Sequence, residues 1–345
     1  MDGDVPCPPF GYLYDPVTDD FVDDESIHRQ LVGTLASLRV YALVRRPELL
    51  RSAVDALTLL TPHIRTTDTG DARMGDLGAT VLMAMALCEL ERLTGDDRWA
   101  TERAALGESI VAEVDNDGSF LNGSALQRQQ AHHALWRLYQ ASGDTRYRDA
   151  LVRAATHASA HRDDTGQGGM WEWPYLYGLW AHEPLVELYQ EVEEDWIPEL
   201  IFWVADQVVA GQYSDREPGV ITESCGWRGG FTPNNGSGAP NWNSTIKLEA
   251  VVDAYRMAEL VQDDARIDVY GHSATMGAAF LMQSQYRAGD PELSGFANPD
   301  RSVGGLPLYS TDPTVRIDIP GHGAIALAKV AELVHGEATP GSLLD

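Results

Sequence analysis

The chain has 345 residues, with 52 Asp and Glu against 25 Lys and Arg, a formal net charge of −27. Lys247 and Lys329 are the only lysines, and the acidic residues are spread along the whole length, which is the composition of a halophile-like surface kept soluble in high salt. This balance leaves no basic patch for a nucleic-acid backbone or an anionic membrane, and no apolar run approaches the 18 residues of a membrane span. The first residues, MDGDVPCPPFGYLYDP, lack a basic region followed by an apolar one, so no signal peptide is expected. Cys7, Cys88 and Cys225 are widely spaced, without a CxxC or CxxH pair, and fit a reducing cytoplasm better than a disulfide framework.

In chain order, residues 26–46 carry apolar side chains at three-and-four spacing, and the segment predicts an amphipathic helix capped by Asp23, Asp24 or Ser26. A second helix, about 47–62, opens with Pro47 in its first turn. A third is expected over about 74–93, with Arg73 and Asp76 at its start. It closes in TGDDRW, and a fourth helix follows at once. SGDTRY repeats the pattern 48 residues later, from Gly95 to Gly143, between a fifth and a sixth helix. EEDW after Glu193 joins a seventh and an eighth, QDDAR near 262–266 joins a ninth and a tenth, and Arg45–Leu49 fits the same slot earlier. A last helix is expected near 320–336. A repeat of about fifty residues with two helices reads as stacked αα-hairpins, each of which must bury its apolar stripe on a neighbour. The expected fold is therefore all-α, an (α/α) toroid of about six hairpins in a single domain, with residues 1–25 as an extension reaching the loop face. A closed ring is preferred to an open solenoid because neither end carries an obvious polar cap.

The turns within hairpins are expected to be three to five residues long. The connections between hairpins are longer: 11–25, 63–75, 114–124, 162–174, 212–244 and 286–319. In an alternating ring these fall on one face, and binding residues commonly sit on loops held by a rigid scaffold. The stretch 212–245 has no helical or strand periodicity and is rich in Gly, Asn and aromatic residues, so it is expected to wall a binding cleft.

Hairpin spacing and loop asymmetry over about 26–336 resemble the six-hairpin α/α toroid enzymes that act on carbohydrates, among them unsaturated glucuronyl hydrolases, N-acylglucosamine 2-epimerases, glucuronyl C5-epimerases and several polysaccharide lyases. The resemblance is one of architecture and matches no catalytic motif residue by residue. The GGF of Gly229–Phe231 before a helix is also similar to prenyltransferase and terpene-cyclase repeats, whose cyclases carry an acidic DxDD cluster that is absent here.

Several groups fall on the expected loop face. Trp171 and Glu172 lie in WEWPYLYGLW, just before a helix that Pro174 would open, where aromatic rings suit sugar stacking and also suit a core. Glu223 lies in ITESCGWRGG beside Trp227 and Arg228; a carboxylate among aromatic rings can serve as a proton donor, or simply pair with the arginine. Asn234 and Trp242 share the same long loop. Asn243 or Ser244 is expected to cap the ninth helix, with Lys247 one turn in, either holding a substrate carboxylate or forming an ion pair. Tyr309, Arg316, Asp318 and His322 cluster at the last loop–helix junction. There Asp318 could orient His322 as a base and Arg316 could clamp an anion, or the three could form a structural knot. Tyr14 and Arg29 complete the substrate-binding candidates at the amino-terminal end. Asp115 and Asp117 read as a solvated turn because the calcium loop with its closing Glu is absent. His132 and His133, being adjacent on a helix, cannot share one face. Cys225 and His322, even with Asp318 added, fall short of a zinc ligand set. No metal or cofactor is expected, and the partner is a small-molecule or oligosaccharide substrate. Glycoside hydrolysis is the favoured expectation, with Glu223 as acid and Asp318 or Glu172 as partner carboxylate. The alternatives are a uronate lyase or C5-epimerase, a non-catalytic scaffold that binds a glycan or protein, and a zinc-dependent transferase.

Overall fold

The structure is a computed structural model, and it describes residues 10–11, 13–22, 26–66, 72–162, 174–213, 227–233, 239–309 and 312–335. In chain order come β1 (Leu13–Asp15), β2 (Asp20–Val22), α1 (Ile27–Val44), α2 (Pro47–Leu60), β3 (Arg65–Thr66), β4 (Ala72–Arg73), α3 (Leu77–Thr94), α4 (Ala100–Ala112), α5 (Ala125–Ser142), α6 (Thr145–Ala160), α7 (Pro174–Val192), α8 (Trp196–Ala210), α9 (Asn243–Leu260), α10 (Asp264–Ser284), α11 (Pro299–Ser302), β5 (Val315–Arg316) and α12 (Asp318–His335). Among the described residues, five hairpins and a last helix are present, in the positions that the repeat predicts. Among the described residues, no helix is long and apolar enough to cross a membrane.

The helix starts follow from local chemistry. The Ser26 hydroxyl accepts from the Arg29 amide at the head of α1, the Asp76 carboxylate accepts from the Ala79 amide at the head of α3, and Ser124 and Gln127 form a reciprocal capping box on α5. The hairpin turns share a second device. Arg45, Gly95, Gly143, Glu193 and Gln262 all take positive φ, between 50° and 71°, and so reverse the chain at once. The turns are accordingly two to five residues long rather than three to five, the shortest being those at 45–46 and 143–144.

The chain divides into two compact units. The first takes the described parts of Met1–Leu60, Tyr213–Thr245 and Met276–Asp345; the second takes those of Thr61–Gln212 and Ile246–Thr275.

Within the second unit the helices form two layers. α3 is buried on every side from Gly78 to Leu90, and α5 from Gln129 to Leu138, as helices enclosed by others must be. By contrast α6 buries Tyr147, Ala150, Leu151, Ala154, Ala155 and Ala158, a single stripe at three-and-four spacing. α3 packs on α5 and α5 on α7, while α6 packs on α4 and α8. The His182 Nδ1–H donates to the Ala250 carbonyl at 3.0 Å and ties α7 to α9.

Within the first unit α1 packs on α2 and on α12. Glycines permit the close approach at α12. A Cβ on Gly33 would stand 2.5 Å from the Ile317 side chain, and one on Gly321 would stand 2.9 Å from Ala36 Cβ. A small sheet in the order β2-β1-β5 pairs Leu13 with Arg316 and Tyr14 with Val315, so the amino-terminal hairpin braces the strand that leads into α12. That helix begins at Asp318, two residues before the expected start, which places Arg316 on a strand and Asp318 on the first helical turn.

Candidate functional site

In the first unit, the loop before α9 is fixed by its glycines. Gly229 takes φ +87°, and a Cβ there would stand 2.1 Å from the Met276 carbonyl oxygen. The Gly229 amide donates to the Tyr213 carbonyl at 2.7 Å, and the Tyr213 amide donates to the Gly230 carbonyl at 2.9 Å. This lock sets Trp227 against Tyr213, with ring centroids 5.5 Å apart. Further on, Asn241 Oδ1 accepts from the Asn243 amide at 3.0 Å, so the capping side chain is Asn241 rather than Asn243 or Ser244. The Ser244 hydroxyl instead accepts from the Phe231 amide at 3.1 Å. Between these segments lies a cavity of about 100 Å³ whose lining includes Trp227, Trp242, Phe280, Leu306, Tyr309 and Ile319. It is well below the several hundred Å³ of a drug-sized ligand site and fits one substituent or ring edge.

Beside it stands a charged knot. Asp318, 3 % exposed, accepts from Arg316 Nε at 2.6 Å and Arg316 Nη2 at 3.0 Å. It also accepts from Arg29 Nη1. As the first residue of α12 it gains from the positive end of the helix dipole. The Arg316 guanidinium lies over the Trp242 ring, 4.8 Å from its centroid. Two cations share one carboxylate, and among the described residues Arg316 Nη1 and Arg29 Nε and Nη2 have no acceptor. The geometry leaves guanidinium donors for an anionic group at the edge of an aromatic notch.

The other expected residues fall as follows. Tyr309 is exposed at the cavity rim, Arg228 is exposed beside Trp227, and His322 is half-buried one turn after Asp318. Tyr14 is buried; its hydroxyl donates to Asp19 at 2.9 Å and Arg301 lies over its ring, so it latches the amino-terminal hairpin. Burial, then the Asp19 hydrogen bond, raises its pKa. Lys247 belongs to the second unit, is 5 % exposed, and has its amine pulled down to about 8 by burial. Trp171, Glu172, Glu223, Cys225 and Asn234 lie outside the described residues. Arg29, Trp227, Trp242, Tyr309, Arg316 and Asp318 are therefore gathered in one unit.

In the second unit, His132 and His133 take different partners, as their adjacency requires. The His132 Nδ1–H donates to the Arg128 carbonyl at 3.0 Å, and its ring meets Tyr177 edge-on. His133 Nε2 accepts from Arg137 Nε at 3.2 Å. Arg137 also pairs with Glu183 and Glu187 across α5 and α7. The sequence reading does not contain this buried cluster, although Glu183 with Glu187 and His133 with Arg137 stand at i, i+4 spacing. Asp117 closes a turn, with Oδ1 accepting from the Ser119 amide at 2.8 Å. Among the described residues, no group of three or more His, Cys, Asp and Glu is arranged to hold a metal.

No family model matches the chain, and no curated protein does. Solved structures do match along nearly its whole length. A D-mannose isomerase aligns with a TM-score of 0.65 at 10 % identity, covering 94 % of this chain and 92 % of its own. An unsaturated glucuronyl hydrolase specific for heparin aligns with a TM-score of 0.63 at 13 % identity, covering 96 % and 93 %. An inactive α-1,6-mannanase variant of Salegentibacter sp., in complex with α-1,6-mannotriose, aligns with a TM-score of 0.60 at 14 % identity, covering 91 % and 90 %. The chain has the all-α (α/α) toroid fold found in these carbohydrate-active enzymes. At such identities the likeness is one of fold.

Proposed function

We propose that the protein is a carbohydrate-active enzyme that hydrolyses a glycosidic bond in an oligosaccharide bearing an acidic sugar, bound at the head of α12. The observation that carries this reading is the Arg316 guanidinium, pinned by Asp318, stacked over Trp242 and bordering the notch lined by Trp227 and Tyr309. A sugar carboxylate would take the spare N–H donors of Arg316 and Arg29, and a pyranose face would lie on the aromatic rim. Glu223 would protonate the leaving oxygen. Because Asp318 already accepts three N–H donors, its part in this proposal is to hold the arginines in place.

The same arginines favour one alternative. Elimination or epimerisation at a uronate needs its carboxylate neutralised, and His322, one turn beyond Asp318 on α12, would then be the base. A screen of uronate and neutral oligosaccharides in molar potassium chloride, read by product mass, separates the two: gain of water for hydrolysis, an unsaturated product for elimination. Glu223→Gln should all but abolish hydrolysis and leave a histidine mechanism partly active. Turnover of neutral oligosaccharides alone, indifferent to Arg316, would overturn the acidic-sugar reading.

A further inference from the structure

The cavity of about 100 Å³ in the first unit has walls that include Leu281, Leu306 and Ile319, which are 2 %, 6 % and 1 % exposed. Trp242 belongs to the same lining and carries the Arg316 guanidinium over its ring, so an apolar cavity and a cation flank one indole. The aliphatic hydroxyls in the lining are already spent. Thr245 Oγ1 donates to the Trp242 carbonyl at 2.7 Å, and Ser284 Oγ donates to the Phe280 carbonyl at 2.9 Å.

Asn241, also in the lining, differs from them. Its Oδ1 accepts from the Asn243 amide at 3.0 Å, and this bond decides which end of the side-chain amide is the oxygen. Nδ2 is thereby a donor, and among the described residues it has no acceptor. Asn241 is half-buried and stands opposite the exposed Tyr309 in an antiparallel bridge, so the donor is at the rim and the buried aliphatic walls lie behind it. Such a site suits a small apolar tip with a carbonyl oxygen next to it. A whole pyranose is too large, since an apolar cavity of about 150 Å³ holds a single benzene. A charged or hydroxyl tip would lose its water against the aliphatic walls. A methyl would not, and the carbonyl beside it would accept from Asn241 Nδ2.

We propose that this cavity is an acyl pocket: it takes the methyl of an acetyl group carried by the bound sugar as amide or ester, Asn241 Nδ2 donates to the acyl oxygen, and the sugar carboxylate lies on Arg316. The substrate is then an acetylated acidic sugar. The inference rests on the reading of this notch as a sugar site and adds the substituent that fills it.

The test is binding to the full-length chain, by titration calorimetry in molar potassium chloride, of glucose, glucuronic acid and the mono-acetyl forms of each, ester on one hydroxyl or amide in place of one. In both sets at least one acetylated member should bind roughly tenfold more tightly than its parent, the worth of a buried methyl and one hydrogen bond. Which member gains tells amide from ester. Leu306→Phe fills the cavity from its wall and should erase the gain. Asn241→Asp keeps an oxygen for the α9 cap, so its thermal midpoint should hold, but it has no N–H to give and should lose roughly threefold or more of the gain in the neutral set. If no acetylated member binds better than its parent, or the gain survives both substitutions, the cavity is not an acyl pocket. A gain from acetylation without any preference for glucuronic acid over glucose would overturn the acidic-sugar reading and leave the acyl pocket standing.

Discussion

In the second unit one guanidinium, Arg137, sits among two carboxylates, Glu183 and Glu187; in the first, one carboxylate, Asp318, sits between two guanidiniums, Arg29 and Arg316. The Arg137 fork is filled: Nε donates to His133, Nη1 to Gln140 and Glu187, and Nη2 to Glu183 and Glu187. The Arg137 and Glu183 side chains are 10 % and 7 % exposed. Among the described residues the knot at Asp318 is unsaturated on its cationic side, its arginines are 32 % and 15 % exposed, and one lies on a tryptophan beside a cavity. Acid in excess with every donor filled is a way to brace helices. Cation in excess with donors to spare is a way to meet an anion. In a chain of net charge −27, a local surplus of positive charge is more informative than a surplus of negative charge.

The largest effect expected from this comparison is on stability. Arg137→Ala would take the guanidinium away from the buried Glu183, and breaking such a pair costs about 3–5 kcal/mol. Chemical denaturation should show that loss, while Arg316→Ala, at a more open knot with Arg29 still in place, should cost far less. Equal losses would erase the distinction between the two knots.

Next comes a pH effect in the closed region. Burial pulls the His132 imidazole from its usual 6.5 down to about 4, since a charged ring there would face Phe120 and Tyr177. The unfolded chain therefore binds a proton between about pH 4 and 6.5 that the folded chain does not. Stability rises with pH across that window, is fully present above 6.5, and is lost on descending toward 4. The expected span is on the order of 3 kcal/mol. Denaturation midpoints of wild type and His132→Leu, compared from pH 4 to 7, should diverge by that amount, because the variant lacks the titrating group.

The two knots differ as much in legibility as in chemistry. The hairpins could be read because Gly95 and Gly143 advertise the positive φ that the turns need. Arg45, Glu193 and Gln262 fill the same slot without that signature; at Glu193 and Gln262 the acidic turn sequences and the spacing carry the reading, and at Arg45 the stretch Arg45–Leu49 fits the slot. Arg316 and Asp318 are two residues apart and could be paired by eye, but Arg29 meets Asp318 across 289 positions, a contact that helix packing makes and local pattern does not record. The same is true of Trp242 beneath Arg316. The Arg137 cluster is hidden for another reason: the i, i+4 pairs on α5 and α7 are each visible, but nothing local says that the two pairs meet until the partner helix is known. The cap on α9 is expected at Asn243 or Ser244 and falls at Asn241, because an Asn-rich start offers several equivalent side chains and only the fold selects among them.

At the open knot, Arg316→Ala should act on substrate. Losing charge-assisted hydrogen bonds to a bound carboxylate costs about 2–3 kcal/mol, roughly 30- to 150-fold in kcat/KM on an acidic oligosaccharide. Activity on a neutral analogue should hardly change. Arg316→Lys should recover only part of the loss, because an ammonium cannot span Asp318 and a second carboxylate as a planar fork can.

Trp242→Leu should have the smallest effect and the sharpest meaning. Leucine keeps the cavity wall apolar but removes the ring beneath Arg316, and a cation over an aromatic face is worth about 0.5–1 kcal/mol when partly exposed. If Trp242 serves only to hold the guanidinium flat, kcat/KM on an acidic substrate should fall about two- to fivefold, and a neutral substrate should not register the change. If the ring is also the surface on which a sugar lies, neutral and acidic substrates should lose activity together and by more, because the apolar face of the pyranose is common to both. The ratio of the two losses, measured in one salt concentration so that screening is constant, distinguishes a tryptophan that positions an arginine from one that touches the ligand.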